Sequence, residues 1–250
     1  VFYDAVVEWS ESVLPSVVEI ASNDGTFLRK FIDKGHKVLG VDPAKNIAHM
    51  AKKNGVPTLA EYFGLEVAEE IRKNNGAADC VIARNVIPHV ADIHGVIGGM
   101  ASLVKDDGCV VIEFHHSLII LDELHYDSIY HEHLFYFSIN SLSYLLKQHG
   151  LFINDVLDSP ISGGSKILCC RKYECEKSKR LLSAIELESE ASLNSYDSWE
   201  RFARKAQDHR ADLNEIVTRL IDDGKSLVGY GASARCSTLL NFCGLNDNVL

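Results

Sequence analysis

The sequence predicts an α/β fold in which a parallel sheet is covered on both faces and ends in an antiparallel hairpin. Short apolar runs at 17–21, 37–41, 78–83 and 109–114 alternate with amphipathic runs near 25–34, 44–54, 65–74 and 92–104. That rhythm specifies strand-helix-strand crossovers. A weaker run at 57–60 fits between the second and third helices. Two later runs, 152–158 and 166–171, are joined only by Ser159-Pro160-Ile161-Ser162-Gly163-Gly164-Ser165, which is too short for a parallel crossover and implies an antiparallel pair.

The first strand carries the strongest functional signal. Val17-Val18-Glu19-Ile20-Ala21-Ser22-Asn23-Asp24-Gly25 runs an apolar strand into a small-residue, acid-bearing turn and then a helix. Ligands of open α/β sheets sit at such carboxyl ends, near the switch in strand order. The second strand, Val38-Leu39-Gly40-Val41-Asp42, ends in a carboxylate suited to both hydroxyls of a ribose. A dinucleotide fold would show G-x-G-x-x-G, so that the backbone approaches a pyrophosphate at a helix N-terminus. Here Ala21 and Asn23 stand at the first two glycine positions and Asp24 adds an acid. Negative charge repels a pyrophosphate and suits a cationic, phosphate-free ligand such as S-adenosylmethionine. The stretch resembles the first motif of class I methyltransferases in a glycine-poor form. Asn23, Asp24 and Gly25 also suit an ordinary turn and helix cap, and both roles can hold together.

With 250 residues and 46% hydrophobic content the chain can bury a full core. A net charge of −10 and a pI near 5.5 argue against nucleic acid as a partner. No apolar run approaches the roughly 20 residues of a membrane span, and no signal-peptide pattern opens the chain, so the expected compartment is the cytosol. The seven cysteines, Cys80, Cys109, Cys169, Cys170, Cys175, Cys236 and Cys243, include no C-x-x-C pair and read as free thiols, mostly buried in strands. The chain opens at Val1 without methionine and stops at Leu250 soon after a strand-turn-helix signal. It reads as a piece of something longer.

After the fifth strand the rhythm breaks into an irregular stretch from His115 to Phe137, followed by a helix over 139–149. Residues 176–223 are polar and helical. Trp199, Phe202, Ala203, Ala206, Leu213, Ile216, Val217 and Leu220 form one apolar face, with capping residues from Asn194 to Asp197 between two helices. This predicts a connector packed on a neighbouring domain. Ser226-Leu227-Val228-Gly229-Tyr230-Gly231-Ala232-Ser233-Ala234-Arg235 then reads as another strand entering a glycine-bearing turn and helix. Its backbone N–H groups suit a phosphate or a tight turn without ligand. The expected divisions are 1–175, 176–224 as connector, and 225–250 as the start of a second α/β domain.

Chemistry concentrates in Tyr126-Asp127-Ser128-Ile129-Tyr130-His131-Glu132-His133-Leu134-Phe135-Tyr136-Phe137, where the substrate of such a sheet would sit. In an extended segment Tyr130, Glu132 and Leu134 share one side, and His131, His133 and Phe135 the other. Methyl transfer to oxygen or nitrogen needs little beyond positioning, whereas transfer to carbon needs a base beside a carbonyl. A histidine oriented by a carboxylate is such a base, which selects His133 with Glu132 as its helper. A metal bound by His131 and His133 with Glu132, His125, His115 or His116 competes with this reading, although the spacing matches no established signature. A solvated polar loop is the third reading.

Nearly the whole chain resembles the sugar C-methyltransferases, which move a methyl group from S-adenosylmethionine to a ring carbon of a nucleotide-linked keto-deoxysugar in deoxysugar biosynthesis. The resemblance lies in Glu19 to Phe27, Asn85 to His89, Tyr130 to Ser138, Gly163-Gly164, and Val228 to Ala234 continuing to Asn241 through Leu245. It implies a class I methyltransferase (Rossmann-like) seven-stranded sheet with an antiparallel terminal hairpin. It also implies an N-terminal zinc module and a second α/β domain, neither complete in this chain, and no metal within the chain itself. By the same resemblance His133 is the base, while Tyr130, Glu132 and His89 surround the sugar and steady the enolate. Glu19, Ala21, Asn23, Asp24, Asp42 and Asn85 line the cofactor site, and Gly163, Gly164 and Tyr230 contact a small-molecule sugar nucleotide. The chain departs from the family pattern at Ser162, where histidine stands before the paired glycines, and at His131, where an acidic residue stands. The alternatives are an oxygen or nitrogen methyltransferase and a non-catalytic sugar-nucleotide-binding protein on the same scaffold.

Overall fold

The structure is a computed structural model and describes residues 2–246; Val1 and the last four positions of the expected 225–250 segment lie outside the described residues. Seven strands form one sheet: β1 (Val17–Ile20), β2 (Val38–Val41), β3 (Thr58–Leu59), β4 (Ala78–Arg84), β5 (Val104–His115), β6 (Phe152–Ser159) and β7 (Ser165–Arg171). Their order is β3-β2-β1-β4-β5-β7-β6. The first five run parallel, and β7 is antiparallel to both β5 and β6. The order reverses between β1 and β4, which opens a crevice at their carboxyl ends.

Crossover helices cover both faces. These are α1 (Phe2–Ser10), α2 (Thr26–Ile32), α3 (Lys45–Lys53), α4 (Leu65–Asn75) and α5 (Ile93–Leu103), then α6 (Ser117–Asp122), α7 (Ile139–Lys147), α8 (Lys179–Glu190), α9 (Tyr196–Asp222) and α10 (Ala234–Cys243). Alternation along the strands splits the core in two. Val17, Cys80, Ile82, Cys109, Val111, Ile167 and Cys169 meet Val6, Trp9, Leu28 and Phe31 on one face. Val18, Ile20, Val81, Ala83, Val110, Ile112 and Leu168 meet Ile71, Ile97, Met100, Leu142 and Leu146 on the other. All seven cysteines are free thiols, five of them buried. No helix among the described residues is long and apolar enough to cross a membrane.

Two expectations are corrected. The stretch from His115 to Phe137 is not irregular throughout: Ser117–Asp122 is a helix and Tyr126–Ser128 a 3-10 turn. The run Ser117-Leu118-Ile119-Ile120-Leu121-Asp122 is too uniformly apolar to show a helical period. Residues 225–233 form no strand, and Val228 and Tyr230 are fully exposed. A strand needs a hydrogen-bonding partner, and among the described residues none lies alongside this segment. Within the expected connector, α8 buries Leu181 and Ala184 in the core of the sheet itself. On α9 only Phe202 and Ala206 of the listed apolar face are buried, while Ala203 and Ile216 are exposed. The capping expectation holds at Ser195, whose side chain accepts from Ser198 N.

Candidate functional site

The turn after β1 is stapled to the end of β2. The Asp42 carboxylate accepts from Asn23 N and from Ala44 N, each at 2.9 Å, one oxygen apiece. Asn23 Oδ1 accepts from Asp24 N at 2.8 Å, and Asp24 Oδ1 from Thr26 N at 3.0 Å. That last contact holds the Asp24 carboxyl below the usual carboxylate range. Gly25 N donates to Ser22 O at 3.1 Å. The amides from Ser22 to Thr26 are thus satisfied internally, which leaves them no anion nest for a pyrophosphate. Ala21 and Asn23 both adopt left-handed backbone, φ 53°, and Asn85 at the end of β4 does so at φ 51°. Such strain concentrates at ligand sites. Gly40 lets the turn approach β2, since a Cβ there would meet Ser22 Oγ at 2.3 Å.

Beneath the turn lies a polar row across the strand ends. Glu19 is 3% exposed and its Oε2 has no partner; the neighbouring Ser22 Oγ also lacks one. Arg84 Nη1 lies 3.9 Å from Glu19 Oε1, and its Nε donates to Glu113 Oε2 at 3.1 Å. Ser159 Oγ donates to Glu113 Oε1 at 2.6 Å. The Arg84 guanidinium stacks over Phe27 and Phe2, 4.2 and 4.9 Å from the ring centroids. Burial pushes the Glu19 carboxyl up to about 8, with Arg84 opposing and Glu113 reinforcing the rise. A cationic ligand fits this donor set: the site offers a buried, unpaired carboxyl oxygen and withholds N–H donors from anions.

The second half of the site is built on the segment after α6. His133 N bonds Tyr130 O at 3.0 Å, a turn that places Tyr130 and His133 on one side. The extended alternation expected for this segment is therefore corrected. His133 Nδ1 contacts the Ser128 carbonyl at 2.8 Å, which requires the proton on Nδ1 and leaves the Nε2 lone pair free. Tyr130 Oη donates to that Nε2 at 3.1 Å. Burial lowers the His133 pKa, as do His89 and Arg235, while the Ser128 contact and Glu132 oppose. His89 Nδ1 donates to the Glu132 carbonyl at 2.9 Å, with its ring 4.7 Å from that of His133. The Glu132 side chain is exposed, and its expected role as orienter of the base falls to the Ser128 carbonyl.

Beside this pair, the buried His115 at the end of β5 lies 3.3 Å from His125 (Nε2 to Nδ1), and His125 Nε2 lies 3.3 Å from Glu123. Burial, with His125 and Arg235, brings His115 down to about 4. Gly163 and Gly164 have φ 82° and 142°; a Cβ would meet His125 at 3.0 Å in the first case and Ile119 at 2.9 Å in the second. The paired glycines thus let the β6–β7 turn lie against this histidine and α6. Among the described residues no group of three or more His, Cys, Asp or Glu is placed to hold a metal ion.

A methyltransferase-domain model matches residues 6–155, and a model for the C-terminal domain of C-methyltransferases matches 160–250. The chain belongs to the methyltransferase-domain family. Its sheet is that of the S-adenosylmethionine-dependent class I methyltransferases. A C-methyltransferase, NovU of Streptomyces niveus, is 37% identical over 236 residues; the match covers 94% of this chain and 56% of NovU, so the chain spans about half of that relative's length. An S-adenosylmethionine-dependent methyltransferase from Clostridium acetobutylicum shares the fold at TM-score 0.53 and 11% identity, covering 68% of this chain and 88% of its own. Magnesium protoporphyrin IX methyltransferase from Synechocystis, solved with S-adenosylhomocysteine, does so at TM-score 0.51 and 19% identity, covering 68% and 82%.

Within this methyltransferase fold the structure brings Glu19, Ala21, Asn23, Asp42 and Asn85 to the β1/β4 crevice, and Tyr130, His133 and His89 to one adjoining cluster. Asp24, one residue before the cap position held by Gly25, accepts from the first amide of α2. Tyr230 stands fully exposed, away from the cluster. Sequence reasoning missed Arg84, Glu113, Asp127 and Arg235. A cation at the last residue of β4 and an acid in the apolar centre of β5 were visible signals for the first two, because charges in buried strands need partners.

Proposed function

We propose that this chain carries the catalytic core, residues 1–175, of a C-methyltransferase that methylates the ring carbon beside the ketone of a nucleotide-linked keto-deoxysugar. His133 carries the reading: a neutral imidazole with its tautomer set by a backbone carbonyl and its Nε2 lone pair beside a tyrosine hydroxyl. Transfer to carbon requires such a base, because the C–H proton must leave before the bond to the methyl group can form. Glu19, Ala21, Asn23, Asp42 and Asn85 would hold the cofactor, with spare lone pairs on Asp42 for ribose hydroxyls. When bound, S-adenosylmethionine supplies an electrophilic methyl group, and its sulfur keeps the bonding pair on release.

His133 Nε2 takes the proton from the carbon beside the ketone, and the C–H electron pair delocalises onto the ketone oxygen. Tyr130, relieved of Nε2, donates to that oxygen, and His89 contacts the sugar. The carbon then forms its bond to the methyl group. The dry, preoriented cleft favours a reaction in which charge is neutralised. Free thiols throughout fit a cytosolic setting.

The test uses the full-length protein with a keto-deoxysugar nucleotide and S-adenosylmethionine, followed by mass spectrometry. In deuterium oxide the α-carbon proton should exchange in the parent protein. In His133→Ala both exchange and methylation should be lost while S-adenosylhomocysteine still binds. Methylated product without carbon exchange points to oxygen or nitrogen transfer, and binding without product points to a non-catalytic scaffold.

A further inference from the structure

The base sits on a segment with no strand of its own, between α6 and α7, so something outside the sheet must fix it. The 3-10 turn Tyr126–Ser128 is that anchor. Ser128 presents the carbonyl that holds His133 Nδ1, and its Oγ donates to the His125 carbonyl at 2.6 Å. Asp127 accepts a fork of two bonds from Arg235, Nε at 2.9 Å and Nη2 at 2.8 Å. Arg235 Nη1 reaches the Ser162 carbonyl at 3.4 Å, on the turn whose glycines rest on His125 and Ile119. Tyr126 is gripped from the same side: its hydroxyl lies 2.9 Å from His209 Nδ1 of α9, and its ring is 4.9 Å from Phe242 of α10.

We propose that Arg235, in the first turn of α10, is a positioning residue for His133, tying the base-bearing turn and the 161–164 turn into one wall of the substrate cleft. The proposal rests on the reading of His133 as the base. Arg235 and Asp127 are each about one-third exposed, and pairs this wet contribute little to stability. Their bidentate geometry, by contrast, fixes orientation, and a catalytic group displaced by 1 Å can lose on the order of a hundredfold in rate. The arrangement thus predicts a large effect on turnover and a small one on folding. The Arg235 cation also acts on the cluster, where His133 faces Tyr130, Tyr136, His89, His115 and Glu132. Removing that cation raises the pKa of His133.

The experiment compares Arg235→Ala, Arg235→Lys, Asp127→Asn and the Arg235→Ala/Asp127→Asn pair in the full-length protein. Expected for Arg235→Ala is a fall in kcat of about tenfold or more, with unchanged S-adenosylhomocysteine affinity and a melting temperature close to the parent's. The double variant should be no slower than the worse single one, because one link is broken only once. Without any substrate, NMR titration of the His133 ring should show its midpoint moved up, since the Arg235 charge holds it down. Arg235→Lys keeps the charge and loses the fork, so it should slow turnover while leaving the midpoint near the parent's. The proposal is overturned if Arg235→Ala keeps kcat within twofold, if the single losses multiply, or if the His133 midpoint stays put. If Arg235→Ala fails to fold, Arg235→Lys and Asp127→Asn decide by turnover and titration. Because the titration needs no substrate, it separates failure of this proposal from failure of the assigned reaction.

Discussion

Replacing Glu19 with Gln keeps the shape of a buried carboxyl and removes its charge. In the folded protein burial pushes that carboxyl from 4.5 up to about 8, so between those values the folded state holds a proton that the unfolded chain has released. Stability must then fall as pH rises through this window. At about 1.4 kcal/mol per unit the full window amounts to on the order of 5 kcal/mol. Glu19→Gln has no such slope, so it should match the parent near pH 5 and exceed it by several kcal/mol near pH 9. Cationic cofactor binding draws the same proton off. The parent should release about one proton per S-adenosylmethionine at pH 7, and its affinity should rise about tenfold for each unit of pH increase up to 8, while the variant does neither. Urea unfolding at pH 5, 7 and 9 measures the first effect. Calorimetry in buffers of different ionisation enthalpy measures the second. Parallel stability profiles together with no proton release would show that Arg84 keeps Glu19 ionised throughout, and would refute the reasoning.

Tyr130→Phe should lower kcat about 10- to 100-fold by removing the donor to the developing oxyanion, with cofactor affinity unchanged by calorimetry. Glu188→Ala should cost about 3–5 kcal/mol in urea unfolding, since the buried carboxylate bonds His116 Nε2 at 2.6 Å and two amides at the start of α7. Gly164→Ala should destabilise by about 1–3 kcal/mol, because its φ of 142° is strained for alanine and the new Cβ would strike Ile119. Ala21→Gly should be neutral or stabilise by up to about 1 kcal/mol, relieving left-handed backbone.

The sheet was legible because its strands are buried on both faces and so read as unbroken apolar runs. The terminal hairpin followed from the shortness of the 159–165 link, whereas the strand order comes from the structure. The crevice at the strand ends was legible because acids at the ends of Val17–Ile20 and Val38–Val41 lie at positions the parallel geometry makes adjacent. What failed was contact through turns. Alternation placed Tyr130 and His133 on opposite sides, and only the turn closed by His133 N and Tyr130 O brings them together. The orienter of the base is a backbone carbonyl, which no side-chain pattern encodes. The strand expected at 226–230 had the right composition but no edge beside it among the described residues.

These failures share a cause. The cofactor half is held by the parallel ladder, where each residue's neighbour is set by register, and a sequence carries register in its hydrophobic period. The substrate half hangs on a small separate cluster of Ile120, Tyr126, Phe202 and Ala206, with Trp199 and Phe242 against it. Those residues come from α6, the following turn, α9 and α10, so the contacts that shape this wall span more than a hundred residues. No local pattern carries such contacts. The wall buries far less apolar area than the sheet, and elements so held are the ones that open first. Under the proposed reaction the cleft admits a sugar nucleotide and then excludes water, and the proposed base then sits on the wall held less by packing than by the Arg235–Asp127 ion pair.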